Sequence, residues 1–251
     1  LSHFCVFCAF CGQPFAPFRK PHMPGSNIIQ NTQARAGRSF FCAWSGGKDC
    51  CRALYEATKA GADAKALLTM CTQDGCRSLT HNLPMPVLNA QARALGIPLV
   101  SRRTDWQGYE DAFRAAVREF AHQGVHAGLT GDTEFGRNWL QRICGEHHME
   151  SWLPLWEADA TAAFAEFLDL GFRAVVVAAS DSKVGAQLAG RTLDRAMVAE
   201  FERKHIDVLG EYNEYHTLVI DGPIFHHPLD LTITNTHLIN GYWLTEIDTA
   251  C

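Results

Sequence analysis

The run S-F-F-C-A-W-S-G-G-K-D-C-C-R-A-L-Y-E-A-T-K-A over residues 39–60 constrains the fold more than any other stretch. Residues 39–44 are too short and too apolar for a surface helix, and Phe40, Phe41 and Trp44 suit a buried strand. Ser45, Gly46 and Gly47 break the chain. From Cys51 the spacing is helical: Ala53, Leu54, Ala57 and Ala60 share a face that Arg52, Glu56 and Lys59 avoid, and Gly61 ends it. A strand that feeds a helix through consecutive glycines leaves backbone N–H groups and the positive end of the helix dipole at one spot. Such a spot binds phosphate, because glycine lets oxygens reach the amides and admits a positive φ. Ser45 adds a hydroxyl and Lys48 a mobile positive charge; the competing reading is an ordinary strand-to-helix turn. The spacings of a Walker A loop and of a dinucleotide fingerprint are both absent.

Downstream the alternation repeats. A strand over 64–72 is followed by a polar loop at 74–83 carrying His81 and Asn82, a helix over 87–96 closed by Gly96, and a strand over 97–101. Then come an amphipathic helix over 106–122, a strand over 125–130 ending in Gly131 and Asp132, a helix over 136–147, an apolar strand or loop at 152–156, a helix over 159–170 and an apolar strand over 173–179. This order predicts βαβ units and a parallel sheet, with ligands beyond the carboxyl ends of the strands. The Gly46 turn and Asp132 both lie at such ends, so Asp132 is a candidate to hold Mg²⁺ on phosphates or to orient substrate, against a plain N-cap role. Tyr109, Phe113, Ala116, Val117 and Phe120 read as core. His122 and His126 have metal-like spacing, but Gly124 stands between them at a helix end and they read as structural. From Asp181 the pattern changes to a helix over 193–204 and strands over 217–221 and 232–236. Between helix and strands lies G-E-Y-N-E-Y-H-T at 210–217, where Glu211, Glu214 and His216 suit a cationic or amide-bearing group, or ammonia, against a solvated turn.

A chain of 251 residues with 47% apolar content buries a full core as one large domain, or one with an appendage. Its net charge of -5 supplies no general attraction to nucleic acid or to an anionic membrane surface. No run of about eighteen apolar residues marks a membrane span. The ten cysteines are spread through strands, helices and turns rather than laid out as a disulfide framework, which predicts a reducing cytoplasm. The apolar start has no basic region before it and no clear cleavage site after it, so a signal peptide is not expected. Residues 1–38 read as an extension, disordered or metal-binding. Cys5, Cys8 and Cys11 form C-x-x-C-x-x-C, which holds zinc or an iron–sulfur cluster if His3 or His22 joins; the alternative is an upstream translated arm.

S-G-G-K-D resembles the PP-loop, S-G-G-x-D-S, of ATP pyrophosphatases, which cleave ATP between its α and β phosphates and pass AMP to a substrate; Cys50 stands where that pattern has its last Ser. Further motifs are Q-A-R-A-L-G-I-P-L at 91–99, L-T-G-D at 129–132, the helix carrying Arg137 and Trp139, P-L-W at 154–156, G-R-T-L-D at 190–194 and G-E-Y-N-E-Y-H-T-L-V-I-D-G-P-I-F at 210–225. With these, the chain over residues 39–240 is similar to the diphthine–ammonia ligase family. The resemblance implies an α/β fold: a Rossmann-like, HUP-type parallel sheet with helices on both faces at 39–183, and a smaller C-terminal α+β substrate domain at 184–251.

It also implies chemistry in which ATP adenylates a carboxylate, pyrophosphate leaves with help from Mg²⁺, and ammonia displaces AMP to give an amide. Ser45, Gly46, Gly47, Lys48, Asp49, Cys50 and Gly131 would hold the nucleotide, with Met70 near the adenine at the end of the second strand. Lys48, Asp49, Asp132 and Glu214 would be catalytic, with Mg²⁺ on Asp49 and Asp132. Asn82, Arg137, Glu211, Glu214 and His216 would face the acyl substrate and ammonia. Members that amidate diphthine on elongation factor two carry E-G-G-E-[FY]-E at the second motif, whereas Tyr212, Asn213 and His216 stand here. The His-Thr ending is similar to bacterial relatives, which points to an acid related to cobalamin salvage; the substrate, small molecule or protein side chain, stays open, as does a homodimer. Two alternatives remain at this stage: a tRNA-thiolating enzyme that uses the N-terminal cysteines, and a non-catalytic adenine-nucleotide-binding module.

Overall fold

The computed structural model describes residues 36–132, 137–156 and 158–249, apart from the side chains of Arg137 and Thr249. The expected metal ligands Cys5, Cys8 and Cys11, and the expected contact of the Arg137 side chain, lie outside the described residues.

Five strands, β1 (Ser39–Ala43), β2 (Asp63–Cys71), β3 (Leu99–Arg103), β4 (Ala127–Leu129) and β5 (Glu150–Trp152), form a parallel sheet in the order β3-β2-β1-β4-β5. Helices α1 (Lys48–Lys59), α2 (Met85–Leu95), α3 (Tyr109–His122) and α4 (Arg137–Gly145) make the crossovers. The two-residue period of β1 decides which helix packs where. Phe40 and Cys42 join Leu54 and Ala57 of α1 and Leu88 and Ala92 of α2 in one cluster. Phe41 turns the other way and meets Phe113 and Phe120 of α3 and Leu140 of α4. Helices therefore cover both faces, as the alternation predicts.

After α5 (Ala160–Asp169), capped by the Asp159 carboxylate accepting from the Ala162 N–H at 2.7 Å, the chain builds a second sheet. Strands β6 (Arg173–Ser180), β7 (Tyr215–Asp221), β8 (Leu231–Ile239) and β9 (Tyr242–Thr249) are antiparallel in the order β7-β6-β9-β8, with α6 (Ala196–Arg203) packed beside them. The α+β character expected of the C-terminal part is therefore present. Strand β6, which precedes the expected boundary at 183/184, belongs to this second sheet. A continuous apolar run marks a strand buried on both faces, and β6 is so buried within the second sheet, paired with β7 and β9, not as a sixth parallel strand. One core cluster runs through both sheets, joining Phe40 and Leu54 to Phe172, Val176 and Leu218.

Candidate active site at the switch point of the parallel sheet

Strand order reverses between β1 and β4, so the turns that follow them face one crevice. The β1 turn is Ser45, Gly46 and Gly47, and the β4 turn is Thr130, Gly131 and Asp132. Gly46 has φ +81°, and a Cβ there would come within 2.7 Å of Leu88 Cδ2. At Gly131 the demand is closeness: a Cβ would lie 2.4 Å from the Asp49 carbonyl carbon and 2.6 Å from the Cys50 nitrogen. The β4 turn thus lies against the first turn of α1, backbone to backbone.

The glycine turn is also sewn to the second sheet. The Val219 N–H of β7 donates to the Gly46 carbonyl at 2.9 Å. Fully buried Gln91 of α2 donates from Nε2 to the Gly46 carbonyl at 3.0 Å and to the Val219 carbonyl at 2.8 Å, and its Oε1 accepts from Trp44 Nε1 at 2.9 Å. The Lys48 N–H donates to Thr217 Oγ1 at 3.0 Å. One of the amides expected to be open for phosphate is therefore capped by a hydroxyl from β7. Ser45 Oγ accepts from the Gly47 N–H at 3.3 Å, and the Cys50 thiol donates to the Gly47 carbonyl at 3.2 Å. Burial works to raise the Cys50 thiol's pKa, but hydrogen bonds from Cys51 and Ser45 outweigh it and the net shift is downward.

Lys48 departs from expectation. It is buried rather than mobile, with Nζ 2.7 Å from Asp49 Oδ2, donating to the Leu209 carbonyl and lying 5.5 Å from the centre of the Tyr215 ring. Burial pulls Lys48 toward neutrality, and Asp49, Tyr215 and Glu211 overcome it, so the side chain stays a cation. Across the crevice Asp132 accepts from Thr130 Oγ1 at 2.8 Å. Burial and the Asp49 charge raise its pKa to about 6 against that hydrogen bond. Two carboxylates that repel each other at a strand-end crevice suit a divalent cation. Among the described residues no three metal-ligating side chains gather, so such an ion would take most of its oxygens from phosphate and water, as Mg²⁺ commonly does.

The expected substrate residues separate into two groups. Glu214 is buried; it accepts from the Tyr212 N–H at 2.9 Å, and Lys183 approaches it at 3.4 Å. Burial raises its pKa first, against the pull of Lys183. It shapes the 207–215 loop that also carries Glu211, whose N–H donates to Asp207 at 2.9 Å. His216 lies beside His81 instead. Its ring lies 4.6 Å from that of His81, whose Nδ1 is 3.0 Å from the Thr217 carbonyl oxygen. Asn82, at φ 53°, offers its carbonyl to Arg77 at 2.7 Å and adjoins His81 in the same loop. Met70 packs in the core on the α3 side, and its carbonyl accepts from the Leu79 N–H at 3.0 Å. Sequence reasoning missed His81, Gln91 and Thr217 as parts of the site. Gln91 left a signal, a polar residue inside an otherwise apolar helical face; His81 and Thr217 left none at helix or strand period.

A family profile described as the diphthamide synthase N-terminal domain matches residues 39–151, and one described as the diphthamide synthase C-terminal domain matches residues 159–249. The chain belongs to the diphthamide synthase family. Its second family domain opens with α5 and so takes in β6, in step with the sheet order. A curated relative, the diphthine–ammonia ligase of Danio rerio, is 24% identical over 222 residues, which is 76% of this chain and 86% of the relative. The diphthine–ammonia ligase of Schizosaccharomyces pombe is 23% identical over 213 residues, 75% of this chain and 35% of that longer protein. A solved structure described as a predicted subunit of tRNA methyltransferase from Methanocaldococcus jannaschii covers 73% of this chain and 97% of its own at 13% identity, with a TM-score of 0.44. Among the described residues of this diphthamide synthase family chain, no helix is long and apolar enough to cross a membrane.

Proposed function

We propose that this chain is an ATP-dependent, AMP-forming ligase that converts a carboxylate to its acyl adenylate, releases pyrophosphate, and transfers the acyl group to ammonia to give an amide. The observation that carries the reading is the contact of Gly131 with the first turn of α1, which brings Asp49 and Asp132 together at the sheet's switch point. A carboxylate is a poor electrophile until its oxygen joins a good leaving group, and phosphate is what a glycine turn at a helix N-terminus receives. In this reading Ser45, Gly46, Gly47, Cys50 and Gly131 line the phosphates, and the adenine lies past the end of β2 beside Met70. Asp49 and Asp132 would hold Mg²⁺, which would neutralise charge on the departing pyrophosphate. Lys48, already cationic, exchanges the Asp49 carboxylate and the Leu209 carbonyl for phosphate oxygens. Asn82, Arg137, Glu211, Glu214 and His216 belong to the acyl and ammonia side, Glu214 by holding the 207–215 loop in shape. Six free thiols among the described residues suit a reducing cytoplasm.

The test is incubation of the protein with ATP, Mg²⁺, ammonium and a panel of carboxylic acids, followed by nucleotide analysis. AMP and pyrophosphate in equal amounts, with an amide that depends on one acid, is the expected result. ADP as the product would sink the adenylation chemistry.

A further inference from the structure

His81 has no part in the nucleotide reading above, yet it rests on the phosphate turn. A Cβ on Gly47 would lie 2.6 Å from its Cε1, so the ring occupies the space that the glycine leaves open. Its Nδ1 stands 3.0 Å from the Thr217 carbonyl oxygen, and that oxygen only accepts. The hydrogen of the neutral ring is therefore on Nδ1, and Nε2 presents a lone pair. Such a group repels phosphate oxygens and takes N–H donors. The groups that face the ring are the His216 imidazole and Thr217 from β7 and the Lys48 ammonium from α1. Burial first, then the Lys48 charge, lowers His81 to about 4 against the Thr217 hydrogen bond, so the resting ring is neutral.

We propose that His81 is the proton acceptor for the incoming ammonia, with Thr217 fixing it in the tautomer this needs. The proposal rests on the acyl-adenylate reading. In the step, the ammonia nitrogen bonds to the acyl carbon, and the bond from that carbon to the AMP oxygen breaks with its electron pair staying on the phosphate. One N–H proton passes to His81 Nε2, leaving a neutral amide, AMP and an imidazolium. The anion formed beside the ring opposes the effects that keep it neutral at rest, so the proton is taken when AMP appears and lost to water after AMP departs.

The full chain, labelled with ¹⁵N-histidine, tests this by long-range proton–nitrogen correlation, with ammonium chloride added in the absence and presence of AMP. His81→Asn assigns the signals and is the conservative variant, because its amide N–H stands in for Nδ1–H toward Thr217 while Nε2 is gone. In the free protein near neutral pH, a hydrogen on Nδ1 and none on Nε2 is expected, with the Nε2 signal moving saturably with ammonium only when AMP is bound. A hydrogen on Nε2 in the protein without AMP, or an Nε2 signal that ammonium leaves in place with AMP bound, overturns the proposal. In a second sample labelled uniformly with ¹⁵N, AMP-dependent shifts of the Gly46 and Gly47 amides report the nucleotide site separately: without them the ligase reading fails, and with them a silent Nε2 condemns His81 alone. In turnover, His81→Asn is expected to lose ammonium-dependent amide formation about 100-fold or more while exchange of pyrophosphate into ATP stays within about twofold. Equal loss of both rates would move His81 to the nucleotide side and end the proposal.

Discussion

Gly131 sets the tolerance of the crevice. A methyl group there would meet the backbone of Asp49 and Cys50, which cannot turn aside as a flexible side chain would. Gly131→Ala is therefore expected to cost about 1–3 kcal/mol or more of stability and to abolish ATP binding, read by thermal melting and calorimetry. Asp132 yields a pH prediction. Its carboxyl is raised from 3.8 to about 6, so ionising it inside the fold is unfavourable. The penalty grows as pH rises from 3.8 toward 6 and is full above that, about 3 kcal/mol. Asp132→Asn should raise the melting temperature of the unliganded protein at neutral pH, with the gain gone in acid. In the unaltered protein, nucleotide binding that depends on Mg²⁺ should fall as pH drops through about 6, and that step should be missing in the variant. An Asp132→Asn protein that melts no higher at neutral pH would contradict this account.

At the scale of elements, the phosphate turn depends on a glutamine from the neighbouring helix and a strand from the other sheet. Gln91→Ala would leave Trp44 Nε1 without the Gln91 acceptor, at about 1–3 kcal/mol before relaxation, and would take one donor each from the Val219 carbonyl and from the Gly46 carbonyl, which keeps the Val219 N–H. Hydrogen exchange should quicken at Lys48 and Val219 and stay slow at Leu54 in the middle of α1. Uniform protection across these amides would refute the coupling. This dependence also explains what was legible in the sequence. Phe40 and Phe41, Phe113 and Phe120, and the glycine turn announce themselves through period and turn chemistry, and the parallel order follows from the alternation. Gln91, His81 and Thr217 act through partners 45 or more residues away, and pairing at that separation leaves no local pattern. Lys48 was misjudged because a lysine after glycines carries no sign of the Leu209 carbonyl that holds it. The Asn240–Gly241 pair, both at positive φ between β8 and β9, was a hairpin signal open to reading and passed over.

At the scale of the whole molecule, the apolar run of β6 betrays burial but not the sheet it joins, since a strand covered on both faces looks alike in either one. The shared cluster from Phe40 through Phe172 to Leu218 means that the ATP half keeps bare apolar surface if it is made alone. A fragment ending at residue 157 is expected to expose that surface to a hydrophobic dye and to bind no ATP, with binding restored on adding residues 158–251. ATP binding by the first fragment alone would show that the second sheet is dispensable to the phosphate turn.

The stitching of Gly46 and Lys48 to Val219 and Thr217 bears on how such chains diversify. A recombined gene that joins the first half of one relative to the second half of another would fail unless the glutamine of one parent suits the strand of the other. Freedom to change residues is then greatest at the hairpin of β8 and β9, whose bare Ile233, Leu238 and Ile239 stand outside that stitching.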